Sequence, residues 1–148
     1  MVRSPVVLEF ARPMEIEWIR QHCLSLPYTT EHVQWGIDLV FKVGGKMYAV
    51  APTEPAAVFI SFKVSDEAFA ELVERPGIVP APYLARAKWI ALQNEAALSR
   101  SEIRRLLGLS YELVMARLPR SVRAGLGEAP SGAPKKSVGK RGKPRKSR

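Results

Sequence analysis

The chain has 148 residues, and its 23 Lys+Arg against 14 Asp+Glu give a formal net charge of +9 at pH 7. With 47% hydrophobic and 8% aromatic residues there is room for one domain with one core, which excludes wholesale disorder, collagen-like repetition and a membrane bundle. A single cysteine, Cys23, can neither close an internal disulfide nor build a zinc site, which fits a reducing compartment and removes a zinc-finger route to nucleic acid. No apolar run approaches the roughly twenty residues of a membrane span. Met1-Val2-Arg3-Ser4-Pro5 lacks the apolar stretch and cleavage site of a signal peptide, so the expected compartment is the cytoplasm, nucleoid association included.

In chain order, residues 1–13 read as an extended lead-in, and Pro13 is placed to open a helix with Ile16, Ile19, Cys23 and Leu26 on one face, ended by Pro27. Two β-rich runs, 37–43 and 46–50, meet at Gly44-Gly45. Both glycines can take the positive φ of a type I′ turn, so the pair predicts a hairpin. A third strand, 57–64, follows Pro52 and Pro55 and makes an antiparallel meander. Ser65 with Asp66 and Glu67 supplies an N-cap and first-turn acids for a short helix carrying Phe69, Leu72 and Val73, stopped at Pro76-Gly77. Residues 77–87 hold too many prolines for a regular element, and Lys88–Leu92 reads as a fourth strand. Ser99-Arg100-Ser101-Glu102 is a capping box for a helix through Ile103, Leu106, Leu107, Ser110, Leu113, Val114 and Leu118. Gly108 inside it costs about 1 kcal/mol relative to Ala. The order α-β-β-β-α-β-α predicts an α+β domain over 14–119, with helices packed on one face of an antiparallel sheet.

The charge is unevenly placed. Residues 1–119 carry 13 Lys+Arg and 13 Asp+Glu, whereas residues 120–148 carry 10 Lys+Arg and one acid, Glu128. Those last 29 residues contain no aromatic residue, three prolines, five glycines and four serines, a composition that cannot offset its chain entropy by burial and predicts a disordered basic tail. Lys135, Lys136, Lys140, Arg141, Lys143, Arg145, Lys146 and Arg148 are the expected nucleic-acid contacts, neutralising phosphates without reading bases. Contact by six to eight of them corresponds to a log K versus log salt slope of about −5 to −7. With no apolar anchor among the lysines, membrane attachment is disfavoured.

Several stretches in order, Cys23-Leu24-Ser25-Leu26-Pro27, Phe41-Lys42-Val43-Gly44-Gly45-Lys46-Met47-Tyr48, Ile60-Ser61-Phe62-Lys63, Pro80-Ala81-Pro82-Tyr83 with Arg86 and Trp89, and Ser110-Tyr111-Glu112-Leu113-Val114 with Leu118-Pro119, give a chain that resembles the MmcQ/YjbR family from about Met14 to Pro119. The resemblance implies a frataxin-like (CyaY-like), double-wing-like α+β fold and a DNA-binding label that is itself a fold analogy. Frataxin-like iron handling does not carry over, because Glu15, Glu17, Glu67, Glu71 and Glu74 are interspersed with apolar residues on two short helices instead of forming a carboxylate ridge. No metal and no cofactor is expected.

Catalytic signatures are absent from the sequence: there is no nucleophile elbow, phosphate-binding loop, His-Glu-x-x-His or dinucleotide fingerprint, so a non-enzymatic protein is expected. His22 and Cys23 are adjacent on a helix and point about a hundred degrees apart, and Cys23 reads as a small core hydrophobe. His32 falls in a polar, solvated loop. Tyr83, Arg86 and Trp89 admit two readings, a base-stacking set or a proline-rich loop packed on a core Trp. Trp18 and Trp35 lack close basic neighbours. Lys42, Lys46 and Lys63 join Tyr83, Arg86 and Trp89 as candidate domain contacts. Two functions follow: a small DNA-binding protein, with tail on phosphates and domain giving shape or partner recognition, or a protein-interaction or small-ligand module whose tail binds RNA or an acidic partner. Convergence of Arg3, Arg12, Lys42, Lys46, Lys63, Arg86 and Lys88 on one face would favour the first.

Overall fold

A computed structural model describes residues 5–128, with side chains from 15 to 126. Six antiparallel strands form one sheet in the order β1-β2-β3-β4-β6-β5: β1 Thr29–Gln34, β2 Asp38–Val43, β3 Lys46–Pro52, β4 Ile60–Lys63, β5 Ile78–Pro80 and β6 Trp89–Leu92. Helices α1 Pro5–Ser25, α2 Asp66–Leu72, α3 Arg100–Arg117 and α4 Arg120–Glu128 complete the domain. The expected α+β architecture and order are present, with edge strands added at both margins and a helix added at the end.

The main core lies between the sheet and the helices, where Ile16, Ile19 and Cys23 of α1 and Ile103, Leu106 and Leu107 of α3 meet Phe41, Tyr48, Phe62 and Ile90. Two tyrosines tie its layers together. Tyr48 Oη donates to Cys23 O at 3.3 Å and stands edge-on to Tyr111 with ring centroids 5.6 Å apart, and Tyr111 Oη donates to Pro27 O at 2.7 Å. Ser110, fully buried in mid-helix, reaches Leu106 O at 3.0 Å and also touches Lys63 O, fastening α3 to the end of β4. The predicted caps are in place: Ser65 Oγ accepts from Ala68 N and Ser99 Oγ from Glu102 N, each at 3.1 Å.

Four local readings are corrected. Helix α1 begins at Pro5, so residues 5–13 are helical rather than extended; a first-turn proline loses no helical bond, whereas Pro13 gives up one and crowds the carbonyl four residues back, at a cost of about 3 kcal/mol that the rest of the long helix offsets. Strand β1, with His32, replaces the expected loop. Its sequence Thr-Thr-Glu-His-Val-Gln shows no apolar alternation because it is an edge strand, held to β2 from Thr29↔Val43 to Gln34↔Asp38 and to α1 by Arg20, which forks onto Glu31 at 2.7 and 2.8 Å. Residues 78–80 are a strand as well; the edge position is where Pro80 is tolerated. Residues 120–128, assigned to the tail, form α4. Pro119 ends α3 and accepts the first bond of the new helix from Arg123 N at 3.0 Å. The rest of the tail, 129–148, lies outside the described residues.

Candidate nucleic-acid interface

Among the described residues, none of the four α-helices contributes to the apolar cluster on the second face of the sheet. Strand register places Thr30, His32 and Gln34 of β1 beside Lys42, Val40 and Asp38 of β2, and continues through Val50 and Ser61 to Ala91, with Lys63 beside Trp89. A small second core of Val40, Val50, Ala81, Trp89 and Ala91 covers its centre. Ala81 belongs to the segment between β5 and β6, which folds back on the sheet through Ala81 N to Trp89 O at 3.0 Å and Trp89 N to Leu84 O at 3.2 Å. Two residues of that segment, Tyr83 (φ 66°) and Lys88 (φ 65°), are left-handed. Such turns reverse the chain within ten residues and hold it against the face, so that two concavities open on either side of it.

One is a groove of about 520 Å³ with Met47, Val50, Pro52, Val58 and Ser61 as floor, Trp35 and Asp38 at one side and Pro82, Tyr83 and Leu84 at the other. Its rims are aromatic: Trp35 is 65% exposed and Tyr83 fully exposed. Trp35 sits in the β1–β2 turn at φ 53°, followed by Gly36 at φ 90°. A bulky residue in the left-handed region costs about 1–2 kcal/mol. Loss of water around Asp38 pushes its carboxyl above the usual range.

The other concavity, about 490 Å³, gathers Lys63, Arg86, Lys88 and Arg117 around Ser65, Asp66 and Glu67. Lys63 Nζ donates to Ala87 O at 2.7 Å, and Lys88 Nζ stands 5.0 Å over the Phe69 ring. Desolvation lowers the Lys63 pKa, and the nearby Arg117 charge adds to it against the pull of Asp66. Lys42 and Lys46 flank the Gly44-Gly45 turn at the same end of the sheet, where Leu118 and Val122 close over Gly44 and bring Arg117, Arg120 and Arg123 near it.

Of the seven cations whose convergence was the sequence criterion, Lys63, Arg86 and Lys88 share one concavity and Lys42 and Lys46 lie at the adjoining hairpin; the side chains of Arg3 and Arg12 lie outside the described residues. Tyr83, Arg86 and Trp89 do not form one stacking set. Trp89 is 3% exposed and packs in the second core, whereas Tyr83 and Arg86 face different concavities. The aromatic partner of Tyr83 across the groove is Trp35, 48 residues away in sequence. Trp18 does have basic neighbours: Arg100 and Arg104 lie 4.8 and 5.0 Å over its ring, one α-helical turn apart on α3. The tail cations from Lys135 to Arg148 lie outside the described residues.

Cys23 is fully buried, and burial pushes its thiol up to about 12, so it is no nucleophile at neutral pH. His22 donates Nε2–H to Arg104 O at 3.0 Å and joins two helices. Among the described residues there is no cluster of three metal-ligating side chains and no helix long and apolar enough to cross a membrane.

An all-antiparallel six-stranded sheet with helices on one face and a concave, partly cationic other face defines the class as a small α+β domain. The family model described as YjbR matches residues 24–113, and the chain belongs to that family. A crystal structure of a Deinococcus radiodurans protein with a DUF419 domain is similar at 28% identity and a TM-score of 0.68, covering 76% of this chain and 87% of its own. A crystal structure of a Pseudomonas syringae protein, 24% identical with a TM-score of 0.54, covers 66% of this chain and 96% of its own and shares the fold. No curated protein matches the chain.

Proposed function

We propose that this protein binds nucleic acid, DNA in the first instance, as a non-enzymatic cytoplasmic or nucleoid-associated factor. The observation that carries the reading is the gathering of Lys63, Arg86, Lys88 and Arg117 into one concavity of a domain whose residues 1–119 are electrically balanced. Balanced charge scattered evenly would give no attraction for a polyanion; four cations against the two carboxylates Asp66 and Glu67 leave a net positive charge at one end. Lys42, Lys46, Arg120 and Arg123 extend that field, and the eight cations between 135 and 148 add sequence-independent phosphate contacts.

The test is a fluorescence anisotropy titration at several salt concentrations, comparing the full chain with two full-length variants. One has Lys63, Arg86, Lys88 and Arg117 changed to Ala, and the other has the eight tail cations changed to Ser. Loss of four phosphate contacts flattens the slope of log K against log salt by about 3 to 4, and loss of six to eight by about 5 to 7. If the concavity variant keeps the wild-type slope, the domain does not dock on nucleic acid. The protein is then a protein-interaction or small-ligand module whose tail alone meets RNA or an acidic partner.

A further inference from the structure

The two concavities share a wall, and their contents are complementary halves of a nucleotide. Pro82, Tyr83 and Leu84 border the aromatic groove, and Arg86 and Lys88, a few residues on, border the cationic one. On β4, Ser61 lies in the groove floor and Lys63 in the cationic concavity; two residues apart on one strand face is a separation of about 7 Å. That is the scale on which one sugar separates a base from its phosphate. We infer that the groove between Trp35 and Tyr83 takes one unpaired base of a single-stranded nucleic acid whose phosphate rests on Lys63 and Arg86.

Three observations support this occupant. Core packing accounts for neither rim aromatic: Trp35 is 65% exposed and Tyr83 fully exposed, and both are held in left-handed backbone that a bulky residue adopts only at a cost. Exposed rings at constrained positions beside an apolar floor are what base stacking needs, and a paired base in a duplex offers its edges rather than its face. Polar groups at the groove are few and suited to base edges: Asp38 accepts from an amino group, and Ser61 can donate or accept. The phosphate belongs on the other side of the shared wall, where Lys63, Arg86, Lys88 and Arg117 outnumber Asp66 and Glu67, whereas the groove, among the described residues, holds Asp38 and no cation. The tail beyond Glu128 has no aromatic residue to stack between the two rims.

This inference rests on the nucleic-acid reading, and its test separates the two. The full-length chain is titrated with a single-stranded oligonucleotide, the matching duplex and free mononucleotide, each followed by anisotropy or competition and by tryptophan fluorescence. Wild type should prefer the single strand, and binding should quench fluorescence. Trp35→Ala and Tyr83→Ala should each lower single-strand affinity by about 5- to 150-fold, the range of one base stack, with duplex affinity and salt slope unchanged. Trp35→Phe should retain most of the affinity and lose the quenching. Both residues are exposed, so folding is preserved and is checked by circular dichroism.

If the concavity variant flattens the salt slope while Trp35→Ala and Tyr83→Ala bind the single strand like wild type, the base site is refuted and the phosphate site stands. An unflattened slope refutes the phosphate site itself. Free mononucleotide competing as well as the oligonucleotide would make the groove a small-ligand site and overturn the assignment to a strand. A concentration-dependent dimer abolished by Trp35→Ala, with unchanged nucleic-acid binding, would assign the groove to a second copy of the chain and overturn it equally.

Discussion

The turn at Gly44-Gly45 offers a paired test of how the carboxy-terminal helix is attached. Both glycines are left-handed, at φ 59° and 82°, so either alanine substitution carries the same backbone penalty of about 1–2 kcal/mol. Their surroundings differ. A Cβ on Gly45 meets nothing within 4 Å, whereas one on Gly44 would lie 2.5 Å from Leu118 Cδ1 and 3.2 Å from Val122 Cγ1. Leu118 is 4% exposed and cannot swing aside without opening the core beneath the hairpin, an overpacking cost of about 1–3 kcal/mol. Gly45→Ala is therefore expected to lose about 1–2 kcal/mol and Gly44→Ala about 2–5 kcal/mol, the sum of the two costs. At roughly 4 °C per kcal/mol for a domain of this size, calorimetry should place Gly44→Ala about 4–12 °C below Gly45→Ala in Tm. Equal melting temperatures would mean that Leu118 and Val122 do not close over the hairpin. The convergence of Lys42, Lys46 and Arg117 on one end of the sheet would then lose its structural basis.

Other expectations follow from the titratable groups. Cys23 should resist iodoacetamide at pH 8 in the native chain, with a rate on the order of a thousandfold below that of the urea-unfolded chain, because burial has nearly abolished the thiolate. Native labelling within tenfold of the unfolded rate would refute the buried placement. Asp38 has a raised pKa in the fold, so the folded state holds its proton more tightly than the unfolded chain does; its contribution is lost as pH rises through the folded pKa. Asp38→Asn should accordingly melt above wild type at pH 7 and converge with it below the ordinary aspartate range near pH 3.9. A variant that melts lower at pH 7 would show that the carboxylate has a stabilising partner.

Periodicity carried the central elements. The Ile16-Ile19-Cys23 stripe, the Gly44-Gly45 turn and the Ser99 cap are local signals, and each stands in the fold where it was expected. Edge strands were illegible for a physical reason: β1 buries little and so needs no apolar alternation, and β5 can afford Pro80 because one side of it bonds to nothing in the sheet. The site was half legible. Tyr83, Arg86 and Trp89 are spaced by three, yet left-handed turns at Tyr83 and Lys88 send the first outward and leave Trp89 on a strand facing the second core. No local pattern links Trp35 to Tyr83. Only the strand register, which seats the β1–β2 turn opposite the 80–88 segment, brings them to one groove.

The sheet order bears on the route by which the chain reaches its fold. Strands β1 to β4 are each paired with their neighbour in sequence, so that two-thirds of the sheet zips up across local connections. Strand β6 is the exception: it pairs with β4 only after the 25 residues from 64 to 88 have been closed into a loop, and β5 can join only on its far side. Early structure is thus expected in the hairpin and late structure at β6, measurable as high φ-values at Val40 and Val50 and low ones at Ala91. Both concavities depend on that last docking, since the segment that walls them is the one delivered by β5 and β6. The face that carries the two concavities is in this sense the final part of the molecule to exist.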